Sequence, residues 1–412
     1  MIRHSIFPSL KTSLVIALLV LFPVAGFSDG VRWIPPDRAE LDTILNLMYN
    51  MEVVAAEKRL ADWKSKYPHR PEGYFLDGMI LWIQVFVDIR NPFLDNEFQK
   101  KMDEVIDKCD QIEKNADSLS MVARYYKSGA IGFKAQLYGL RDDWFMAARY
   151  GISALDGITE SLEGKFANID ARYGAGLYYY YAEFLPDRYP IIKPLLWFYP
   201  SGDKKRGLEL LQSVADSGMF ANVEAQYSLG MISYFYEKNY AKAIKVFANL
   251  NNRFPKNSRY LFYRGQLAYQ MGDYQQADSC MAVMEGRILA NRPFYYTHQL
   301  RYIYYIRGMI AEYSNRPTMA YSFYQEALAP VDAGIHKETE HYYVYCLLRS
   351  ANMLIKMGYP EEAKPRFYEV LRTPEYSNSH RRAREGLAEL GVPEDTIRVR
   401  TAQTPPASSS SN

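Results

Sequence analysis

The chain has 412 residues, of which 48% are hydrophobic and 23% charged, so it can bury a large core and has the composition of a globular protein. Its 49 basic residues nearly balance 47 acidic ones. Such a balance gives no long-range field to attract nucleic acid or an anionic membrane, which argues against nucleic-acid binding.

The first 28 residues are predicted to be a cleaved signal peptide. Arg3 and Lys11 give a basic start, residues 14–22 form an unbroken apolar run, and Gly26-Phe27-Ser28 offers small residues where a signal peptidase reads. This run of nine residues is far shorter than the roughly 20 that span a bilayer, so a permanent anchor is the weaker alternative. We expect an exported protein in the periplasm or cell envelope, with no membrane span after signal removal.

Apolar residues at helical spacing predict three pairs of antiparallel helices in the next part of the chain. These pairs occupy residues 37–66, 74–115 and 119–162. A loop at Asn91-Pro92-Phe93 delays the second helix of the second pair, and the third pair turns between Gly139 and Asp142.

The fourth pair is interrupted by prolines. Gly174-x-Gly176 opens an aromatic helix that we expect to end at Leu185-Pro186. Prolines at 186, 190, 194 and 200 rule out one continuous helix and predict an insertion near 186–202. An amphipathic helix is predicted to begin near Lys204.

Two helix pairs with the same internal spacing follow between Asn222 and Met284. The first reads Gln226-x-x-Leu229-Gly230 and Tyr240-x-x-Ala243-x-x-x-Phe247; the second reads Leu261-x-x-Arg264-Gly265 and Gly272-Asp273-Tyr274-x-x-Ala277. The two glycines are 35 residues apart and the two alanines 34. Because closely crossing helices need a small residue, we expect each glycine to face the alanine-bearing helix of its own pair.

This period and these residues resemble the tetratricopeptide repeat family. The resemblance implies an all-α fold, a tetratricopeptide-type α-solenoid of about seven helix pairs over residues 37–391, because a single pair cannot bury its apolar face alone. Two longer pairs, built on Gly308 and Ala351, each follow 43 residues after the one before. A last helix over 379–390 has the polar face of a cap, and residues 392–412 are expected to be a disordered tail.

A second pattern comprises Gly174-x-Gly176, Leu185-Pro186, Lys193-Pro194 and Gly202-Asp203. With the two repeats after it, over residues 174–284, it resembles the fungal inclusion-body clearance protein and its animal and outer-membrane-type tetratricopeptide relatives. That family consists of helical-repeat proteins without known catalysis in the eukaryotic cytosol, a setting from which the signal peptide departs. The resemblance therefore implies the architecture and not the cellular role.

No constellation of catalytic residues stands out. The sequence has no His-Glu-x-x-His, no phosphate-binding loop, no dinucleotide glycine motif and no Gly-x-Ser-x-Gly. His336 and His341 are five residues apart, whereas a metal site on a helix prefers three or four. We therefore expect no cofactor, no metal site and no enzymatic activity. The three cysteines are expected to be buried free thiols, at Cys109, Cys280 and Cys346.

Tyrosine is abundant, with 36 residues, and its apolar face with a polar tip suits binding surfaces as well as cores. The tetratricopeptide resemblance places defined positions of each first helix in a concave groove. The predicted binding residues at these positions are Tyr173, Tyr180, Tyr181, Tyr227, Tyr269, Tyr302, Tyr305 and Tyr313. The alternative is that these tyrosines only pack between helix layers.

Two main functional hypotheses follow. The first is an exported, non-catalytic scaffold that binds a protein partner at the cell envelope through an aromatic-lined concave groove. The second is a carrier or receptor for a small apolar or glycan ligand, held by Tyr178 to Tyr181 and Trp197-Phe198-Tyr199. An open groove would favour the first and a closed pocket the second. An enzyme with dispersed catalytic residues is the least favoured hypothesis.

Overall fold

A computed structural model of the chain describes residues 34–89, 91–115, 119–154, 169–188, 201–329 and 336–402. The predicted signal peptide, residues 189–200 of the predicted insertion and the last ten residues lie outside these ranges. The chain divides into two compact units, residues 1–260 and 261–412, which we call unit 1 and unit 2.

The described residues form 18 α-helices and no strand, so the prediction of an all-α fold is confirmed. The helices are α1 (Arg38–Tyr49), α2 (Val53–Lys66), α3 (Pro71–Val87), α4 (Asp95–Lys114), α5 (Ser120–Leu140), α6 (Trp144–Ser153), α7 (Ala171–Arg188), α8 (Lys204–Ser217), α9 (Asn222–Met231), α10 (Tyr240–Arg253), α11 (Ser258–Gln270), α12 (Tyr274–Leu289), α13 (Leu300–Tyr313), α14 (Pro317–Leu328), α15 (His336–Lys356), α16 (Pro360–Leu371), α17 (Ser379–Glu389) and α18 (Glu394–Ala402). No described helix is both long enough and apolar enough to cross a membrane.

Consecutive helices pack as pairs, in the order that the repeat spacing predicts. Within unit 1, α1 packs on α2, α3 on α4, α5 on α6, α7 on α8 and α9 on α10; within unit 2, α13 packs on α14, α15 on α16 and α17 on α18. The described helices form nine sequential pairs, the last of them shorter, rather than about seven. The fold is a tetratricopeptide-like array of helix pairs.

A residue in the left-handed region recurs two positions before the second helix of a pair. Six turns share this feature, at Met51, Asp142, Lys238, Gly272, Asn315 and Gly358. A positive φ reverses the chain within a short turn, at no steric cost where the residue is glycine. After Gly272, the Asp273 carboxylate accepts a hydrogen bond from the Gln276 N–H at 3.0 Å and caps α12. The backbone conformation of the turns therefore repeats along the chain, as the buried residues do.

The two glycines of the central repeat lie where their helices cross, as predicted. A Cβ atom on Gly230 would lie 3.0 Å from Phe247 Cε2 of α10, and one on Gly265 would lie 2.8 Å from Cys280 Cβ of α12. Phe247 is fully buried. Each crossing therefore has room for a glycine and not for a larger side chain.

The repeat that contains Gly230 has one residue more than its successor, and the structure absorbs it in a π-helical turn. This turn covers Ile232–Tyr236, directly after α9. A π-turn takes up one extra residue without ending the helix. As a result Tyr234 is buried beneath the turn, with its ring centroid 5.8 Å from that of Tyr240.

Two sequence expectations differ from the structure. The aromatic helix α7 does not end at Leu185-Pro186 but continues to Arg188. The region predicted as a disordered tail contains α18, which packs on α16 and α17 and buries Ile397. The apolar contact that Ile397 makes with the preceding pair explains order in a polar segment, and composition alone does not reveal that contact.

The three cysteines are buried free thiols, as predicted. Burial raises the pKa of the Cys109 thiol to about 12. A thiol held neutral in this way is a poor nucleophile, so Cys109 serves packing.

Unit 1 closes on itself, because its first helix pair meets the chain segment that follows its fifth. The Asn257 side chain donates to the Tyr49 carbonyl at 2.9 Å, and the Lys256 N–H donates to Asn50 Oδ1 at 3.1 Å. The rings of Tyr49 and Phe254 pack with centroids 5.5 Å apart. These contacts join residues about 200 positions apart and turn five stacked pairs into a closed arrangement.

We expect Gly308→Ala to destabilise the protein by about 1–3 kcal/mol, because the new Cβ would overlap the buried ring of Tyr324. Gly286→Ala is the matched control, since nothing lies within 4 Å of its new Cβ. In the last turn of α12 it should leave stability unchanged or raise it by up to about 0.5 kcal/mol. Urea unfolding of both variants measures the two effects, and equal effects would contradict the described crossing.

The closure of unit 1 depends on Asn257, which is fully buried. Its Oδ1 also accepts from the Arg259 N–H at 3.1 Å. Asn257→Ala should lower the free energy of unfolding by about 1–3 kcal/mol, because it leaves buried backbone groups without partners. The exposed Asn249→Ala should change it by less than about 0.5 kcal/mol. Similar losses in the two variants would argue against the closure.

Candidate functional site

The eight predicted tyrosines occupy different environments. Six are buried, one is half-buried and one is largely exposed: Tyr180, Tyr181, Tyr227, Tyr269, Tyr302 and Tyr305 are buried, Tyr173 is half-buried, and Tyr313 is 60% exposed. Most of them therefore contribute packing contacts, and their role in binding stays a prediction. They fall into one group in unit 1 and another in unit 2.

Three of the four predicted tyrosines of unit 1 lie at two adjoining cavities, whereas Tyr180 lines neither of them and its hydroxyl donates to Glu237. The larger cavity has a volume of about 100 Å³, and the second one of about 90 Å³ adjoins it. The first helix of each pair supplies the wall, through Leu45, Met48 and Tyr49 of α1, Phe75 and Met79 of α3, Tyr125 and Phe133 of α5, Tyr173 and Leu177 of α7, and Glu224 of α9. Tyr181 and Tyr227 line the adjoining cavity. The inner side of unit 1 thus forms a concave, largely apolar cavity.

Two carboxyl groups, those of Asp170 and Glu224, line this cavity, and they differ in their hydrogen bonds. Asp170 lies before α7 and accepts hydrogen bonds from the N–H groups of Met219, Phe220 and Ala221, at 2.8 to 3.2 Å. These bonds tie it to the segment that enters α9, so its role is structural. Burial nonetheless raises the pKa of the Asp170 carboxyl.

Glu224 projects from the first turn of α9 into the wall of both cavities. Burial and the nearby Asp170 raise the pKa of the Glu224 carboxyl to about 7, and a hydrogen bond from the Tyr49 hydroxyl opposes this rise. Its Oε2 atom is buried and has no hydrogen-bond partner among the described residues. Glu224 is therefore a carboxyl with an oxygen available to a donor.

The remaining polar groups around the cavities are neutral or already engaged. Burial raises the pKa of the hydroxyls of Tyr49, Tyr125 and Tyr260, so these side chains stay neutral. Arg259, in the wall of the second cavity, donates to the Phe86 carbonyl at 2.6 Å and to the Tyr227 hydroxyl at 2.9 Å.

The tyrosines of unit 2 form a continuous aromatic contact network on the first helices of its pairs. The Tyr302 ring lies 5.1 Å from both Phe262 and Tyr342, between ring centroids. Tyr305 contacts Tyr342 at 5.3 Å and Tyr345 at 6.0 Å. The network therefore runs from α11 through α13 to α15.

A second aromatic group in unit 2 is an exposed stacked pair of rings. Tyr313 and Tyr274 are parallel within 4°, with centroids 5.3 Å apart, and Tyr269 packs behind Tyr274 at 5.8 Å. Met271, 47% exposed, follows directly after α11. An exposed aromatic pair with an adjoining methionine is the kind of patch that marks a contact site.

Two arginines lie beside the inner part of the same network. Arg349 Nη1 donates to Glu312 Oε2 at 2.9 Å, so its charge is compensated. The half-buried Arg382 guanidinium, near Tyr305 and Tyr345, makes no hydrogen bond or ion pair within the described part of the chain. Burial and the neighbouring Arg349 lower the pKa of Arg382, and the nearby Glu385 carboxylate opposes this shift only in part.

Other sequence expectations have different outcomes. Trp197-Phe198-Tyr199 and the side chain of His336 lie outside the described residues, and Tyr178 and Tyr179 do not line either cavity. Within the described ranges no group of three or more His, Cys, Asp or Glu residues could hold a metal ion. Sequence reasoning did not identify Glu224 or Arg382. The sequence signal for Glu224 is an acidic residue between Val223 and Ala225, which are both buried.

Comparisons with known proteins give little guidance. No protein-family model and no curated protein sequence matches the chain. The chain is similar to the crystal structure of yeast Tom70, with a TM-score of 0.38 and 12% sequence identity, over 81% of this chain and 68% of that one. A likeness at this level carries no functional conclusion. The tetratricopeptide-like fold rests on the helix pairs themselves, and the resemblance of residues 174–284 to the inclusion-body clearance family stays a prediction.

The Glu224 carboxyl makes the stability of the protein depend on pH. Its pKa is about 7 in the folded chain, against an ordinary value of 4.5, so the folded state binds the extra proton between these values. Stability from this group is therefore full below about pH 4.5 and is lost as the pH rises through about 7. Glu224→Gln should remove the loss and be more stable than wild type at pH 8, by up to about 3 kcal/mol.

Urea unfolding of wild type and Glu224→Gln at pH 5 and pH 8 tests this expectation. The difference between the two proteins isolates Glu224 from other titrating groups. A difference that is the same at both pH values would show that Glu224 ionises normally.

Proposed function

We propose that this protein is an exported, non-catalytic scaffold of helical repeats that binds a protein partner at the cell envelope through the aromatic inner face of unit 2. This face consists of Tyr269, Tyr305, Tyr313, Tyr345 and Arg382, which belong to the first helices of four successive pairs. The observation that carries the proposal is the exposed Tyr313–Tyr274 stack.

The chemistry of this face fits a protein segment. Tyrosine and arginine are the residues that most often carry binding energy at protein interfaces, since they offer large contact area with few rotatable bonds or several donors. Tyr313 presents most of its ring to solvent while its partner Tyr274 holds it in place. A preorganised ring loses little conformational entropy on binding.

The charge of the face indicates the kind of segment. The half-buried Arg382 guanidinium makes no hydrogen bond or close ion pair among the described residues, and a bound carboxylate would accept hydrogen bonds from it. We therefore propose a partner segment that carries an acidic residue for Arg382 and an apolar or aromatic residue for the Tyr313–Tyr274 stack. An array of helix pairs suits an extended segment of this kind.

The export part of the proposal rests on the N-terminal sequence. A basic start, a short apolar run and small residues at a cleavage position favour secretion. The partner is accordingly sought in cell-envelope fractions.

Site-specific photocrosslinking tests the proposed face. A benzophenone amino acid in place of Tyr313 should crosslink a defined partner in envelope fractions, whereas the same group in place of Tyr359 should not. Tyr359 is a matched control, because it is 53% exposed but lies before the second helix of its pair. The crosslink should be identified by mass spectrometry.

Binding of the identified partner then measures the contribution of each side chain. Tyr313→Ala and Arg382→Gln should each weaken binding by roughly tenfold or more, and Tyr359→Ala should leave it unchanged. Unchanged melting temperatures would show that the variants are folded. Identical crosslinks from positions 313 and 359, or full binding by Arg382→Gln, would contradict the proposal.

A further inference from the structure

We propose that the cavity of unit 1 is a second binding site, for a small organic cation: an amine or alkylated ammonium on an apolar body, with its charge held by Glu224. This site is separate from the proposed protein-binding face of unit 2 and does not depend on it. Four observations lead to this assignment: size, apolar lining, charge and an available acceptor.

The size of the cavity limits the occupant to a small molecule. The two adjoining spaces of about 100 and 90 Å³ share Tyr49, Gln136, Tyr173, Leu177 and Glu224 as a common wall. An apolar cavity of roughly 150 Å³ admits one benzene ring. The occupant is therefore a single ring or a short alkyl chain with one polar group.

The lining makes the body of the occupant apolar. Leucine, methionine, phenylalanine and tyrosine side chains form most of the wall, with Gln136 and the two carboxyls as the main polar side chains. At Gly132 the wall has open space, because only Ala154 Cβ lies within 4 Å of the position that a Cβ would take. Apolar walls of this kind bind by excluding water from apolar surface.

The charge of the site favours a cation over an anion. Lysine, arginine and histidine are absent among the described residues that line the larger cavity. In the adjoining cavity the Arg259 guanidinium donates to the Phe86 carbonyl and the Tyr227 hydroxyl, which are neutral acceptors, so Arg259 keeps its positive charge there. The cationic group is therefore expected in the larger cavity, where an anion would meet Glu224 and Asp170 and burial in apolar surroundings would make this repulsion costly.

Glu224 supplies the acceptor for the cationic group. Its Oε2 has no hydrogen-bond partner among the described residues, while the hydroxyl of Tyr49 donates to the same carboxyl group. An ammonium group can donate to Oε2, which neutralises the buried carboxylate and satisfies the acceptor at once.

A competing explanation is that Glu224 is merely a tolerated buried carboxyl that stays protonated. The two explanations differ in what they predict for ligands of equal size. A protonated carboxyl in a dry cavity would accept a neutral alcohol as readily as an amine, whereas a carboxylate site prefers the amine.

The direct test is calorimetric titration of the full chain with three probes that differ only in their polar group. Benzylamine, benzyl alcohol and benzoate carry the same ring with a cationic, a neutral and an anionic group. We expect benzylamine to bind at least tenfold more tightly than benzyl alcohol at pH 8, and benzoate not to bind. Equal affinities, or tighter binding of benzoate, would overturn the proposal.

Two variants locate the binding. Glu224→Gln should abolish the preference for benzylamine and leave benzyl alcohol binding within about twofold, since the ring contacts remain. Gly132→Leu should fill the cavity from α5 and prevent binding of both compounds, with the melting temperature reporting the folded state. A preference that survives Glu224→Gln, or binding that survives Gly132→Leu, would place the ligand elsewhere and overturn the assignment.

The pH dependence of benzylamine binding gives an independent readout. Benzylamine stays charged between pH 6 and pH 8, so its affinity should rise over this range as Glu224 loses its proton, and Glu224→Gln should remove that rise. The titratable and charged groups that face Glu224 are Tyr49 of α1, Tyr125 of α5, Asp170, Tyr173 of α7, and Arg259 and Tyr260 of α11. A pH dependence that Glu224→Gln retains would assign it to one of these groups and contradict the proposed role of Glu224.

Discussion

Close helix crossings determine what the rest of each repeat can do. Where Gly230 meets Phe247 and Gly308 meets Tyr324, one helix offers only backbone, and the partner fills the space with an aromatic ring. This close crossing holds the two helices of a pair rigidly together. The opposite face of the first helix does not contact the second helix of the same pair, so it is available for other contacts. Tyrosines occupy that face because they can bury a ring against the next pair and still direct a hydroxyl toward polar groups.

Local residue spacing predicts most of the fold, whereas most of the candidate site depends on contacts between residues far apart in the sequence. The glycine–alanine period predicts the crossings at Gly230 and Gly265, because both depend on residues a few turns apart. Left-handed residues such as Met51 and Lys238 escape prediction, since side chains other than glycine rarely adopt that conformation. The hydrogen bond between Asn257 and Tyr49 could not be predicted, because no local pattern joins residues so far apart.

The first helices of both units carry tyrosines, but the charged groups near these tyrosines differ between the units. In unit 1 the first helices surround a cavity whose wall carries the carboxyls of Glu224 and Asp170. In unit 2 they carry an aromatic network beside the half-buried Arg382. The tyrosines predicted to line one groove thus divide into two groups, and the charged side chains beside each group differ in sign.

Closure also limits how unit 1 can vary. Arrays of helix pairs ordinarily gain or lose a pair at small cost, because each pair touches only its neighbours. In unit 1 the segment around Asn257 must arrive at Tyr49 in register, so the number of pairs and the rotation between them are set together. An insertion or deletion of a whole pair would separate the two ends, and the unit is therefore expected to retain five pairs while loops at its turns change in length.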